Sequence, residues 1–217
     1  MNESRLERLS PLSGAAAVLI MVVGILLFNF YEFLPSAEKI ADFLNSNAAR
    51  VYTGGYIASV STFFLIWFAG SVRSSLIRHE GGTGSLSNIS FGGGIAAAVV
   101  LGISFVGIFA TGLRAGALDG LTPVGAVTMY DFWTQLTGQL FGIFMAVFIS
   151  AAAVVSLRTG LFPAWFGWAS LIVAFGLLTP YAYAVLGFAL LWLLVVSIWL
   201  YIKGSTVGEP RAIPELA

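Results

Sequence analysis

Long apolar runs without charged residues recur along this chain, and they constrain its fold more than any other feature. The first run, residues 14–34, forms a helix of about 31 Å, which matches the hydrocarbon thickness of a bilayer. The predicted spans are residues 14–34, 52–72, 91–113, 130–157, 162–181 and 183–202. We therefore predict an all-α fold: a polytopic transmembrane helix bundle of six spans, forming a single membrane domain over residues 1–217.

The composition indicates that the main partner of the chain is the lipid bilayer. Of the 217 residues, 59% are hydrophobic and 9% are charged, whereas soluble domains are about 25% charged. Ten basic residues balance ten acidic ones, which disfavours nucleic acid as a partner. With no cysteine and one histidine, the chain lacks the usual ligands of zinc, iron–sulfur clusters and haem, so we expect no metal and no cofactor.

Lysine and arginine residues are distributed unevenly between the two sides of the predicted bundle. If the N-terminus is cytoplasmic, seven lie inside, namely Arg5, Arg8, Arg73, Arg78, Arg158, Lys203 and Arg211. Three lie outside, namely Lys39, Arg50 and Arg114. Because cytoplasmic loops carry the excess of positive charge, we expect both termini to be cytoplasmic.

A short amphipathic segment follows the first span. Pro35 and Ser36 open it, and its apolar residues recur at helical spacing opposite its polar ones. The apolar positions are Ala37, Ile40, Ala41, Phe43 and Leu44, and the polar positions are Glu38, Lys39, Asp42 and Asn45. This pattern predicts one short amphipathic helix on the outer surface.

Glycine and other small residues mark two further features. The inner loop 78–90 contains three glycines and three serines, which predicts a flexible linker, with a functional lid as the alternative. Small residues also recur every fourth position on the second and third spans, at Gly54 and Ala58 and at Gly94, Ala98 and Gly102. Such spacing lets helices approach closely, and we expect packing within the chain rather than a homodimer face.

The fourth span carries the most informative polar pattern. Asp131, Gln135 and Gln139 lie four residues apart and share one helix face, with Gln139 expected near the middle of the bilayer. Polar groups within a membrane usually face the bundle or a water-filled cavity, so this face predicts an outward-facing polar vestibule. The candidate ligand-binding residues at this level are Asn29, Glu32, Arg50, Tyr56, Arg114, Asp131, Gln135 and Gln139.

Two interpretations of this cluster remain open. The carboxylates of Glu32 and Asp131 beside Arg50 and Arg114 would stay ionised and could form a ligand or ion site. The alternative is electrostatic stapling of helix ends, with amide hydrogen bonds between helices worth about 0.6–2 kcal/mol each. We find no catalytic motif, such as a zinc-protease, nucleophile-elbow or Walker sequence, and therefore expect no enzyme.

Three stretches resemble a broad set of bacterial multi-pass membrane proteins of unknown function. They are Leu157-Arg158-Thr159-Gly160-Leu161-Phe162-Pro163-Ala164-Trp165-Phe166-Gly167-Trp168, Leu9-Ser10-Pro11-Leu12-Ser13-Gly14, and the segment Phe63 to Gly82 with Trp67, Arg73 and Glu80-Gly81-Gly82. The resemblance implies a multi-pass protein of the bacterial plasma (inner) membrane and no particular activity. The function expected is that of a non-enzymatic accessory or structural component that packs with other membrane proteins or with itself. The alternative is a small carrier, channel or receptor.

Overall fold

The described residues of the computed structural model are 9–28, 35–117 and 119–206, with side chains described as far as residue 203. They form helices joined by short turns, which confirms the predicted all-α class. A 3₁₀ turn, Ser10–Leu12, precedes the first helix. The helices are α1 (Ser13–Phe28), α2 (Ala37–Ser46), α3 (Ala48–Glu80), α4 (Ser85–Ala115), α5 (Pro123–Gln135), α6 (Phe141–Thr159), α7 (Ala164–Leu177) and α8 (Ala182–Thr206). A π-helical turn, Leu136–Leu140, joins α5 to α6 without a break.

Five helical stretches are long and apolar enough to cross a membrane, as expected of a multi-pass membrane protein. The predicted span 162–181 contains only α7, an apolar helix of 14 residues, because Pro163 and Pro180 bound it. The turn before α1 and the last part of α8 nevertheless lie at the same end of the bundle, since the Ser197 hydroxyl donates to the Pro11 carbonyl at 2.6 Å. This arrangement requires an even number of membrane crossings, and the short helix α7 provides the sixth.

Glycines bring the first three long helices into close contact. A Cβ atom on Gly24 would come 2.6 Å from the Ala58 nitrogen, and one on Gly54 would come 2.7 Å from the Gly24 oxygen. A Cβ atom on Gly94 would come 2.9 Å from that of Ala69. The small-residue rows of the second and third spans are therefore used for packing within the chain, as expected from the sequence.

The amphipathic segment forms α2, as predicted. Ser36 caps its N-terminus by accepting a hydrogen bond from the Lys39 amide, and Ile40 and Leu44 are buried. The Asn45 side chain also receives and donates hydrogen bonds at the Leu121 backbone, which ties the helix to the segment before α5. Two of the candidate site residues, Asn29 and Glu32, lie outside the described part of the chain.

The segment expected to be a flexible linker is short and held in place. Helix α3 continues to Glu80 and α4 begins at Ser85, which leaves four connecting residues. The Glu80 carboxylate accepts hydrogen bonds of 2.8 Å from the amides of Leu86 and Ser87, and another from the Ser87 hydroxyl. The prediction of a flexible linker over residues 78–90 was wrong, because a carboxylate caps the following helix across the glycine turn.

Helices α7 and α8 form a hairpin whose turn lies beside the middle of the continuous helix of residues 123–159. The turn between them approaches Gly142, where an added Cβ would come 3.2 Å from the Leu177 oxygen and 3.3 Å from the Ala182 Cβ. Tyr183 packs directly against Gly138. Residues 123–137 of the long helix therefore extend beyond the hairpin, and this extension carries the polar face described next.

Candidate functional site

A shallow depression that is open to its surroundings, called the groove below, runs along the exposed face of α5, the π-helical turn and the start of α6. Its lining residues are Thr128, Asp131, Phe132, Gln135, Leu136, Gln139, Leu140 and Ile143. Since these residues follow one another by three or four positions, they share one side of the helix. The three polar residues predicted for the fourth span, Asp131, Gln135 and Gln139, are thus brought together in one groove.

The groove faces away from the bundle, not into it. Asp131 and Gln135 are exposed and Gln139 is partly buried, whereas Trp133, Gly138 and Phe141 occupy the opposite, buried side of the same helix. These residues therefore do not look into the bundle, as the lining of the predicted outward-facing vestibule would. The groove instead opens to the side, toward the lipid or protein that surrounds the bundle.

The π-helical turn determines which residues face outward. The Trp133 carbonyl accepts hydrogen bonds from the Thr137 hydroxyl at 2.8 Å and from the Ser104 hydroxyl of α4 at 2.9 Å, and these two hydroxyls also contact each other. A π turn contains an i→i+5 bond, which shifts the helix face beyond it. The buried hydroxyl contacts fix Thr137 inward, so Gln135 and Gln139 lie on the outer side.

A second group of polar atoms lies just inside the groove. The Trp133 indole nitrogen is buried and forms no hydrogen bond within the described residues, and the buried Thr134 hydroxyl lies beside the phenol groups of Tyr130 and Tyr183. The Tyr130 ring packs edge-on against Trp133 with ring centroids 5.0 Å apart, and both rings line a small cavity beneath α2. The cavity is otherwise lined by apolar residues, so it offers few partners for a polar ligand.

The polar side chains of the groove differ in their contacts, and the Thr128 hydroxyl donates to the Val124 carbonyl of its own helix at 2.8 Å. Within the part of the chain that the structure describes, Asp131, Gln135 and Gln139 form no hydrogen bond or ion pair with another residue. Arg50, which was expected as a counter-charge, instead donates to the Asn47 side chain at 3.3 Å. The stapling interpretation therefore finds no support at Asp131 among these residues.

The other candidate residues do not line the groove. Tyr56 is 60% exposed and packs against Phe109 of α4, with ring centroids 6.1 Å apart. Arg50 and Arg114 are exposed at the start of α3 and the end of α4. Of the eight residues proposed from the sequence, the groove thus contains three, while Asn29 and Glu32 fall among the residues that are not described.

Sequence reasoning missed the apolar half of the groove. Phe132, Leu136, Leu140 and Ile143 line it beside the polar residues. Each lies next to a polar position along the chain or one turn from it, so the helical spacing that grouped the polar residues could also have identified this row. In a chain that is 59% hydrophobic, however, apolar residues at such spacing carry little signal of their own.

The depth of the groove in a membrane can be worked out from the length of the helix, taking Thr159, next to Arg158, as one boundary of the hydrocarbon layer. Residues 138–159 of the long helix extend about 31 Å, so a hydrocarbon layer that begins at Thr159 ends near Gly138. On this registration Gln139 lies at the membrane boundary, Gln135 and Asp131 lie beyond it, and Leu140 and Ile143 lie below it. The expectation that Gln139 approaches the bilayer centre stays a prediction, because the apolar stretch of residues 123–159 is longer than one membrane crossing and can sit at more than one depth.

Comparison of the chain with protein-family models, with curated proteins and with solved structures gives no match.

Proposed function

We propose that this chain is a non-enzymatic integral membrane protein that acts by lateral association, docking another membrane protein in the groove formed by residues 128–143. The observation that supports the proposal is the outward orientation of Asp131, Gln135 and Gln139, which form no hydrogen bond or ion pair within the described residues. Gln139 lies nearest the hydrocarbon of the three, and a polar group near lipid is stabilised when another helix offers a hydrogen bond, which contributes about 0.6–2 kcal/mol. The polar groups of the groove are therefore available to a partner that approaches from the side.

The same proposal includes the cellular location. The distribution of lysine and arginine, seven against three, favours cytoplasmic termini and places the groove on the outer side of the membrane. The resemblance to bacterial multi-pass proteins supports the bacterial plasma membrane. An accessory component of that membrane would meet its partners by diffusion in the bilayer plane, and a groove open to the side suits that approach.

A small receptor or carrier is the second candidate, and the mixture of polar and apolar groups in the groove favours it. The groove combines the carboxylate of Asp131 and two glutamine amides with a row of apolar side chains. An amphiphilic ligand with a basic group at one end would suit it. An open face on one helix, however, encloses such a ligand poorly.

Site-specific photocrosslinking tests the docking proposal. A photoreactive amino acid replaces Leu136 in the groove, and a matched variant carries it at Ile103, which is 54% exposed on α4 at the same depth, next to Ser104. Irradiation of native membranes should give a protein adduct from position 136 and only lipid adducts from position 103. Lipid adducts alone at both positions would contradict the proposal, and an adduct with a small molecule at position 136 would favour the receptor.

A further inference from the structure

We propose that a lipid bilayer meets the two sides of this bundle at different levels, so that the bundle lies tilted in the membrane. One side is formed by α3 and α4 and the other by the α7–α8 hairpin, while α6 packs against α3, α4 and α7. The end of the bundle that holds Arg158 is called the inner end, and the opposite one is the outer end. Contacts between helices give the relative levels, since each helical residue rises by about 1.5 Å. The arrangement does not depend on what occupies the groove.

Arginines mark both limits of the hydrocarbon layer on the α3–α4 side. Residues 51–72 of α3 carry no charge and extend about 33 Å, between Arg50 at the outer end and Arg73 toward the inner end. Arg73 donates a 3.0 Å hydrogen bond to the Asn88 side chain in the first turn of α4, and Arg114 lies in the last turn of that helix. Because charged groups are costly within hydrocarbon, the layer on this side ends near Arg73.

Arg158 gives the position of the hairpin relative to α3. Its charge acts on the Glu80 carboxylate, so these two side chains lie near each other. Glu80 is seven residues, or about 10 Å, farther along α3 than Arg73. Gly167 of α7 packs against the Leu157 side chain, next to Arg158. The first two turns of α7 therefore lie farther toward the inner end than Arg73.

These first turns of α7 expose apolar side chains at a level where α3 exposes polar ones. Trp165 is 71% exposed and Trp168 is 62% exposed, whereas the exposed residue beside Arg73 on α3 is Ser74. A flat boundary at Arg73 would leave both tryptophans in water, well outside the hydrocarbon. A flat boundary at Arg158 would place Arg73 about 10 Å within it. The boundary therefore lies farther inward beside α7 than beside α3.

The outer end of the hairpin shows the same displacement. The turn between α7 and α8 packs against Gly142 of α6. The Ser90 hydroxyl of α4 donates to the Phe148 carbonyl at 3.0 Å, and a Cβ atom on Gly93 would come 2.7 Å from the Phe148 nitrogen. Counting six residues outward from these contacts along both antiparallel helices places Gly142 level with residues 96–99 of α4.

The exposed turn of the hairpin cannot lie within hydrocarbon, although α4 is apolar at that level. Val99, Val106 and Leu113 are exposed on α4, so its apolar face extends about 21 Å outward from the level of the turn. In the turn, the carbonyl groups of Leu178 and Pro180 accept no hydrogen bond from the residues that the structure describes. Unpaired backbone groups are not tolerated where they face lipid. The polar phase of the outer side therefore reaches the turn.

Both boundaries of the hydrocarbon layer are thus displaced toward the inner end beside the hairpin. A tilt of the bundle moves the two boundaries together, and interfacial arginines and tryptophans are the residues that set such a tilt. Helix α7 has 14 residues and is about 21 Å long, which accounts for the larger displacement at the outer end.

Single cysteines at matched levels test the proposal, and the chain has no native cysteine to give background. Leu178 follows the end of α7 beside Gly142 and is matched in level by Val99 on α4. Ile172 lies six residues, about 9 Å, inward of Leu178, and Ser74 matches its level within about one helical turn. All four residues are exposed, so substitution by cysteine leaves the core intact.

The variants are placed in dioleoylphosphatidylcholine vesicles that are freeze–thawed with a water-soluble maleimide, so that the reagent reaches both faces. Leu178→Cys and Ser74→Cys should react at least about tenfold faster than Val99→Cys and Ile172→Cys, because the reactive thiolate is disfavoured in hydrocarbon. Tyr181→Cys repeats the turn position. Denaturation in dodecyl sulfate should make all the variants react alike.

A bundle that stands upright in a flat bilayer gives equal rates within each pair, and equal rates at either level would overturn the proposal. Protection of both Leu178→Cys and Tyr181→Cys would also overturn it, since the turn would then be covered. Helical circular dichroism confirms the folding of each variant. These outcomes leave photocrosslinking from position 136 unaffected, so the tilt and the docking function can fail separately.

Discussion

The Ser104 hydroxyl of α4 donates a 2.9 Å hydrogen bond to the Trp133 carbonyl at the end of α5. This bond joins two helices at the point where the π-helical turn begins, and Ser104 is completely buried. Trp133 lies three residues before the first residue of that turn, Leu136, and Gln135 and Gln139 lie on the outer side of the helix on either side of Leu136. The orientation of the polar face therefore depends on one buried serine in a neighbouring helix.

Substitution of this serine should destabilise the bundle. Ser104→Ala removes a donor to a buried carbonyl, and we expect the free energy of unfolding to fall by about 0.5–1.5 kcal/mol. Ser74→Ala is the matched control, because the exposed Ser74 bonds only to the Gly70 carbonyl of its own helix. Reversible unfolding in mixed detergent micelles provides the measurement. Equal stability of the two variants would contradict the role assigned to Ser104.

Close helix contact at Gly54 gives a second prediction. A methyl group at this position would lie 2.7 Å from the Gly24 carbonyl oxygen and 2.9 Å from the Phe28 ring, so Gly54→Ala should cost about 1–3 kcal/mol. Gly70→Ala on the same helix meets nothing within 4 Å and should be neutral or slightly stabilising. Unfolding curves of both variants test the contrast, and a Gly54→Ala protein as stable as the Gly70→Ala protein would show that the helices are not in contact there.

The Glu80 cap gives a third prediction. Glu80→Gln keeps the shape of the side chain but replaces one of the two carboxylate oxygens that accept from the Leu86 and Ser87 amides. We expect the free energy of opening this turn to fall by about 1 kcal/mol. Hydrogen exchange at these two amides should then quicken about fivefold. Asp42→Asn on the exposed side of α2 is the control and should leave the exchange unchanged. Unaltered exchange in Glu80→Gln would mean that the cap does not hold the turn.

The predicted orientation can be measured in intact cells. Single cysteines at Ser85 and Asp119 occupy exposed positions at opposite ends of the bundle. If the termini are cytoplasmic, a membrane-impermeant thiol reagent should label Asp119→Cys and spare Ser85→Cys until the cells are opened. Labelling of Ser85→Cys but not of Asp119→Cys would mean that the termini face outward and that the groove lies on the inner side of the membrane.

The sequence was sufficient to predict the helices but not their limits or the direction of the polar face. Apolar runs of about 20 residues predict membrane helices, yet α3 extends to both sides of the predicted span 52–72, because its polar ends remain helical outside the apolar run. The grouping of Asp131 with Gln135 and Gln139 followed from helical spacing alone. Which way that group faces depends on the neighbours of α5, and helical spacing does not encode them.

The π-helical turn and the Glu80 cap illustrate the same limit. The turn is held by a hydroxyl that lies 33 residues earlier in the chain, at Ser104, and by its contact with Thr137. The cap joins residues on either side of glycines whose composition alone indicates flexibility. Both features arise from tertiary contacts, and local residue patterns do not report such contacts.

Thermal unfolding of Gln139→Leu in detergent micelles that hold single copies tests most directly whether the polar face serves a partner outside the chain. Since Gln139 makes no hydrogen bond with the described residues, the variant should unfold at the wild-type temperature or slightly above it, while Ser104→Ala measured beside it unfolds earlier. A Gln139→Leu protein that loses as much stability as Ser104→Ala would show that this amide holds the bundle together, and would contradict the assignment of the groove as a docking surface.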